Sequence, residues 1–278
     1  LSIVLHSGAL ALLFVSGARM VEFLKINYHK AVDVIHHDYD AMIMSFLGVS
    51  GLGTSFYFWL MGTVAEKYAL LVFLTSLVFL LTILLATTKR VEQKLGLWVG
   101  LFATLGLAVF YHLTAVVLMP MVGLLVLRDE IYKEMKTIAG AVAGFVGGGL
   151  VSVGILWQLN QTSADVSWNF EQSFHGLWNH LIRSDFAGTA LSTGSEIPVI
   201  PGIDIARMMA ALEPYLGVLV DHFSYFNLGL ILIGIYVLWL TRKLRWIVLA
   251  GVAGATVFLP LYLGWPDDFG SQMIGMRQ

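Results

Sequence analysis

Two ionisable side chains stand in stretches that are otherwise hydrocarbon. Glu66 sits in Ala65-Glu66-Lys67-Tyr68 at the head of an apolar run, and His112 interrupts Gly106-Leu107-Ala108-Val109-Phe110-Tyr111-His112-Leu113-Thr114. A carboxylate and an imidazole can exchange protons and hydrogen bonds with a bound molecule, which the alkyl side chains around them cannot. Because such a group is costly at a membrane edge, it is a functional candidate by default. Each also has a plainer reading. Glu66 opens a helix, where a carboxylate favours the N-terminal dipole without any catalytic task, and His112 can cap a buried turn.

The elements that position these residues follow from composition. The chain is 58% hydrophobic and only 12% charged, with a mean hydropathy of +0.81. Soluble domains carry roughly 25% charged residues, so the sequence predicts an integral membrane protein. A net charge of -2 and the lack of a basic stripe exclude nucleic acid as a partner. With no cysteine there is no disulfide framework, thiolate nucleophile or Cys-based metal site.

A spanning helix needs about 20 mostly apolar residues. The hydropathy pattern predicts eight, over residues 1–18, 40–62, 68–87, 95–111, 113–128, 137–157, 217–240 and 247–264. Leu1 to Ala18 carries no charged n-region, so it reads as a truncated span of a fragment and not as a signal peptide. The fourth and fifth spans share one continuous run, Leu95 to Leu127, read as a hairpin turning at Tyr111-His112. That choice places 12 of the 16 Lys and Arg residues on one side, three in each of four loops: Arg19, Lys25, Lys30; Lys89, Arg90, Lys94; Arg128, Lys133, Lys136; Arg242, Lys243, Arg245. Basic residues concentrate in cytoplasmic loops. Both chain ends, Glu66, His112 and the loop 158–216 are then expected outside.

Within that loop Phe170, Phe174, Leu177, Trp178, Leu181 and Ile182 follow helical spacing, which predicts an amphipathic helix on the bilayer surface. Asp204 is a plausible cap for a second short helix through Glu213. Asn160-Gln161-Thr162 matches a glycosylation sequon, a weak three-residue signal. Gly140, Gly144 and Gly148 recur every fourth residue in the sixth span, flanked by Gly147 and Gly149, and read as close helix packing in place of a phosphate loop. The first basic loop holds His29, Asp33, His36, His37, Asp38 and Asp40; an interfacial polar face accounts for them better than a metal site.

One ordered series resembles a known family. Phe58-Trp59, Ala65-Glu66-Lys67-Tyr68-Ala69-Leu70, Gly106-Leu107 through His112-Leu113-Thr114, Pro120, and His180-Leu181-Ile182-Arg183-Ser184-Asp185-Phe186-Ala187-Gly188 together resemble the protein O-mannosyltransferase-like family that includes transmembrane protein 260. That family belongs to the C-type glycosyltransferases, and the resemblance extends over most of the chain. The sequence departs from the family where Tyr111 replaces an Asn before the hairpin His, and where Ala187 intervenes before Gly188. The family's first outer loop, with its catalytic acidic residue, is expected upstream of Leu1, so this stretch alone is expected to be inactive.

The resemblance implies an all-α polytopic membrane fold, C-type glycosyltransferase-like, forming one transmembrane domain over 1–278 with an extracytoplasmic loop at 158–216. It implies transfer of mannose from a polyprenyl-phosphate donor to a hydroxyl acceptor, protein Ser/Thr or a glycan. The expected setting is the cytoplasmic membrane of a prokaryote or the endoplasmic reticulum of a eukaryote. In that scheme Glu66 orients donor or acceptor, His112 hydrogen-bonds at the cavity floor, and Arg183, held by Asp185, meets the donor phosphate. Trp59 and Tyr68 are either sugar-stacking platforms or interfacial belt residues. No cofactor is implied beyond the lipid-linked donor, and metal use stays open. Two alternatives are a transporter or flippase of lipid-linked molecules, against which the lack of an internal repeat counts, and a non-catalytic assembly subunit.

Overall fold

The computed structural model describes residues 2–27, 38–53, 66–88, 90–162 and 173–181, together with five isolated positions between 229 and 250. Every regular element among them is helical. In chain order they are α1 (Ser2–Asn27), α2 (Asp38–Gly53), α3 (Glu66–Thr87), α4 (Val91–Tyr111), a 3-10 turn (Leu113–Leu118), α5 (Met119–Arg128), a second 3-10 turn (Ile131–Lys133), α6 (Met135–Thr162) and α7 (Phe174–Leu181).

Backbone polar groups in hydrocarbon must be paired within their own segment, which favours continuous helices. Hydroxyls in these helices follow the same logic. Ser16, Ser76, Thr82, Thr87 and Thr104 each donate to the carbonyl four residues back, at 2.7–2.8 Å, so these small polar side chains need no partner from another helix.

Contacts along the helices fix their directions. Gly8 near the start of α1 lies against the Phe73 ring near the start of α3, while Phe23 shares a core cluster with Leu85 and Ala86 at the far end of α3. These two helices run parallel. The Ser45 hydroxyl of α2 donates to the Phe14 carbonyl at 2.5 Å, and Gly53 abuts Leu10, so α2 runs antiparallel to α1. The link through residues 88–90 turns α4 antiparallel to α3.

The tightest packing joins α4 and α6, which run parallel. A Cβ at Gly144 would stand 2.6 Å from the Val99 carbonyl oxygen and 3.2 Å from the Ala103 nitrogen. One turn on, a Cβ at Gly148 would overlap the Ala103 carbonyl, and one at Gly106 of α4 would overlap that of Phe145. Small residues here let two backbones touch, the contact that replaces the hydrophobic effect as a source of helix association in lipid. Gly140, Gly144 and Gly148 thus all face α4, as their spacing predicted, while the flanking Gly147 has nothing within 4 Å. Phe110 and Phe145 extend the seam with an edge-to-face contact at 5.9 Å.

The chain reverses at His112. The 3-10 turn and α5 together rise about 27 Å, close to the roughly 26 Å from Lys94 to Tyr111 along α4, so the return path ends level with the start of α4. There Lys94 Nζ lies 3.6 Å from Asp129 Oδ2, and Arg128 Nη2 donates to the Ala86 carbonyl at 3.2 Å. Asp129 also stands 3.9 Å from its neighbour Arg128, and its side chain is only 10% exposed. The three contacts tie the ends of α3 and α5 to the start of α4. Every basic residue whose side chain is described, Arg19, Arg90, Lys94, Arg128, Lys133 and Lys136, lies toward this end of the bundle. The reversal therefore gathers the second and third basic loops at one end.

Four helical stretches are long and apolar enough to cross a membrane: Ser2–Leu24, Ala69–Thr87, Gln93–Tyr111 and Met135–Gln158. They correspond to the predicted spans 1–18, 68–87, 95–111 and 137–157. The described part of span 40–62 is helical throughout, within the 16 residues of α2, Asp38–Gly53. Span 113–128 divides into a six-residue 3-10 turn and the ten-residue α5. Pro120 accounts for the division, since it lacks an N–H to donate and sits comfortably only in the first turn of a helix, where α5 places it. Apart from those five isolated positions, spans 217–240 and 247–264 lie outside the described residues, as do most of the loop 158–216 and the residues from His29 to His37.

Because the chain has no native cysteine, the shared basic end can be tested directly. Single cysteines replacing Arg90 and Lys133 should react with a membrane-impermeant maleimide from the same side. Labelling from opposite sides would break the α4–α5 hairpin.

Candidate functional site

The bundle end opposite the basic cluster is built from the starts of α1 and α3 and the end of α4. α4 stops at Tyr111, and His112 adopts an extended conformation (φ -151, ψ 115). The His112 N–H donates to the Ala108 carbonyl at 2.8 Å, and its carbonyl accepts from the Ala115 N–H at 2.9 Å. One residue thus closes α4 and opens the 3-10 turn, which fixes its backbone from both sides. Its side chain is buried at 9% exposure, beside Tyr111 at 5%.

Glu66 is the first residue of α3. One and two turns further on, Leu70, Leu71 and Leu74 of α3 pack with Leu107 and Ala108 of α4 and Ala115 of the 3-10 turn. Ala108 and Ala115 bracket His112 in sequence. The head of α3 and the His112 break are therefore neighbours at one end of the bundle, and Glu66 and His112 share that end. Tyr68 lies in the first turn of α3. Trp59, Arg183 and Asp185 fall outside the described residues.

A third ionisable group stands at this end. His6 of α1 is 1% exposed, two residues from the Gly8–Phe73 contact with α3. Its Nδ1 lies 3.2 Å from the Ser2 carbonyl. A carbonyl only accepts, so Nδ1 is the donor in this contact. Hydropathy alone makes residues 1–18 an ordinary span and does not single out His6, although the cost of an intramembrane histidine that marks His112 applies to it equally.

Ser152 of α6 completes the polar set. It lies one turn beyond Gly148, and continuing the Gly144–Val99 and Gly148–Ala103 register brings it to the Leu107–Tyr111 level of α4. It is fully buried, and its Oγ has no hydrogen-bond partner among the described residues. Its neighbours in sequence are apolar, and nothing in its spacing marks it. The described residues contain no group of three His, Asp or Glu side chains able to hold a metal ion. Among the described side chains this end holds the buried His6, His112 and Ser152, on three segments, and α3 begins there with Glu66.

Residues 1–136 match the family model of the protein O-mannosyl-transferase TMEM260 N-terminal domain. The match runs from the start of the chain to the first residues of α6, just short of half of the 278 residues. It contains Trp59, Glu66, Tyr68 and His112, and stops before Arg183 and Asp185. No curated protein and no solved structure matches the chain.

Proposed function

We propose, from the match of residues 1–136 to a protein O-mannosyltransferase family, that the chain is the membrane part of a glycosyltransferase. It moves mannose from a polyprenyl-phosphate donor to a hydroxyl of protein Ser or Thr, on the extracytoplasmic face of a cytoplasmic or endoplasmic reticulum membrane. The observation that carries this reading is that Glu66 and His112, both inside the matched residues, share the bundle end opposite the basic cluster. By the positive-inside rule the basic end is cytoplasmic, which makes the Glu66–His112 end extracytoplasmic.

The chemistry asks for three things. A lipid phosphate is a good leaving group whose charge needs a cation as it departs. The attacking hydroxyl needs a base, and the sugar must be held in line between them. In this proposal the Glu66 carboxylate orients the acceptor or sugar hydroxyls, His112 supplies a hydrogen bond from the fixed turn below, and Trp59 and Tyr68 offer faces to the sugar ring. Arg183, two residues past α7, meets the phosphate through paired N–H groups, with Asp185 holding the guanidinium.

The test is donor use by the full-length protein in vesicles. Mannose should pass from polyprenyl-phosphate mannose to a Ser/Thr peptide and should not pass directly from a nucleoside-diphosphate mannose. The reverse preference would overturn the donor class. Charge-assisted hydrogen bonds contribute about 1.5–3 kcal/mol, so Arg183→Ala should weaken binding of a short-chain polyprenyl-phosphate mannose roughly ten- to hundredfold. Arg183→Lys should recover part of the loss, because lysine keeps the charge but not the planar fork. Unchanged binding in Arg183→Ala would make Arg183 structural.

A further inference from the structure

We propose that α7 is an interfacial anchor whose Phe174–Trp178 face lies in the headgroup region of the bilayer and is held there by aromatic partitioning, with no contribution from charge. Its surroundings and chemistry separate this helix from the others. It is only eight residues long, Phe174–Leu181, too short to span and too short to be stable alone. Its first turn is capped by Ser173, whose Oγ accepts the Gly176 N–H at 2.9 Å.

Its two sides are unlike. Gly176, opposite the two rings, is buried, and Leu177, at one edge of their face, is 5% exposed. On the other side Phe174 is 79% exposed and Trp178 52% exposed, one turn apart on the same face. His175, also exposed, stands at the edge of that face. The helix therefore presents two large aromatic rings outward, with its buried glycine behind them.

Three considerations select lipid as the occupant. α6 carries the chain to the bundle end it shares with His112, and its outer face of Val142, Val146 and Leu150 is open, as a lipid-facing span requires. In sequence α7 begins twelve residues after the last residue of that span, Thr162. Tryptophan and its aromatic neighbours favour the membrane–water boundary, where the ring is buried and the N–H stays wet. A second copy of the chain is the weaker occupant. Two aromatic side chains offer at most about 500 Å², below the roughly 800 Å² per partner of a stable interface.

The residues of α7 include no Asp, Glu, Lys or Arg. Surface helices that bind through charge carry Lys or Arg on the polar face and respond to anionic lipid. This one should not. Its attachment is expected to be indifferent to phosphatidylserine content and to salt.

The absence of native cysteine makes site-directed spin labelling of the full chain direct. Labels at Phe174→Cys, Trp178→Cys and His175→Cys are compared in phosphatidylcholine vesicles with and without phosphatidylserine, using oxygen and a water-soluble nickel chelate as relaxing agents. The expected result is a higher oxygen-to-nickel accessibility ratio at 174 and 178 than at 175, unchanged by phosphatidylserine or salt. Water-like ratios at 174 and 178 overturn the proposal. Spin–spin broadening between labels, which marks a second copy on this face, overturns it too, as does a ratio that follows lipid charge. If the labelled variants misfold, quenching by brominated lipid, taken as the difference between wild type and Trp178→Phe, reads the depth of Trp178 directly. Strong quenching of Trp178 supports the anchor, and its absence overturns it.

Discussion

Gly148→Ala should unseat α6 from α4, although it adds one methyl group. A Cβ at this position would overlap the backbone carbonyl of Ala103. A flexible side chain could swing aside, but a carbonyl engaged in its own helix can move only with the helix axis. Overpacking a tight site costs about 1–3 kcal/mol where side chains can yield, and here the yielding part is a whole helix. The expected loss is at the top of that range or beyond it. Gly147→Ala is the internal control. Gly147 has nothing within 4 Å, and replacing a helical glycine by alanine removes a cost of about 1 kcal/mol, so this variant should be neutral or slightly more stable. Thermal unfolding in detergent should separate the two, with Gly148→Ala melting well below wild type and Gly147→Ala at or above it. Equal midpoints would mean that the close approach of α4 and α6 does not hold the bundle together. Gly106→Ala, which meets the Phe145 carbonyl from the opposite helix, should repeat the Gly148 result.

The glycine seam was legible because a four-residue period of the smallest side chain has one inexpensive explanation in an apolar helix. The hairpin was legible for a different reason. Basic residues at Lys89, Arg90 and Lys94, and again at Arg128, Lys133 and Lys136, can share an end only if the run between them reverses, and the Lys94–Asp129 pair stands where they meet. The form of the return was not legible. Leu113 to Leu127 is apolar throughout, so hydropathy has no contrast with which to separate a span from a 3-10 turn followed by a ten-residue helix. Pro120 was the available signal, since it marks a helix start as readily as it breaks one. His6 was missed because it sits in a run judged by length alone, and Ser152 because a lone serine in a spanning helix normally bonds its own backbone, as Ser16 and Ser76 do. Of the predicted site, Glu66 and His112 come to one end because topology brings them there. No periodicity in either segment alone implies that meeting.

Glu66→Gln and His112→Ala should each nearly abolish mannose transfer by the full-length protein while leaving it folded. A positioned acid, base or hydrogen-bonding group contributes about 10²–10⁴-fold to a proton-transfer step, so each variant should fall by at least about 100-fold. The structural roles of the two residues predict much less. A carboxylate at a helix N-terminus is worth about 0.3–1 kcal/mol to the dipole, which would shift melting slightly and leave turnover near wild type. Glu66→Asp keeps that dipole contribution but shortens the reach, so it separates the readings: activity should drop in the site reading and hold in the dipole reading. The His112 N–H and carbonyl bonds to Ala108 and Ala115 can be made by any residue except proline. His112→Asn should therefore preserve the turn, and partial activity in Asn beside none in Ala would place the function in the side chain. The two groups share one end of the bundle, so their effects should not add. Residues acting on the same transition state lose most of the rate with the first substitution, and the double variant Glu66→Gln, His112→Ala should be little slower than the worse single. Additive losses would mean that the two side chains act in separate places, and the shared site at the head of α3 would be wrong.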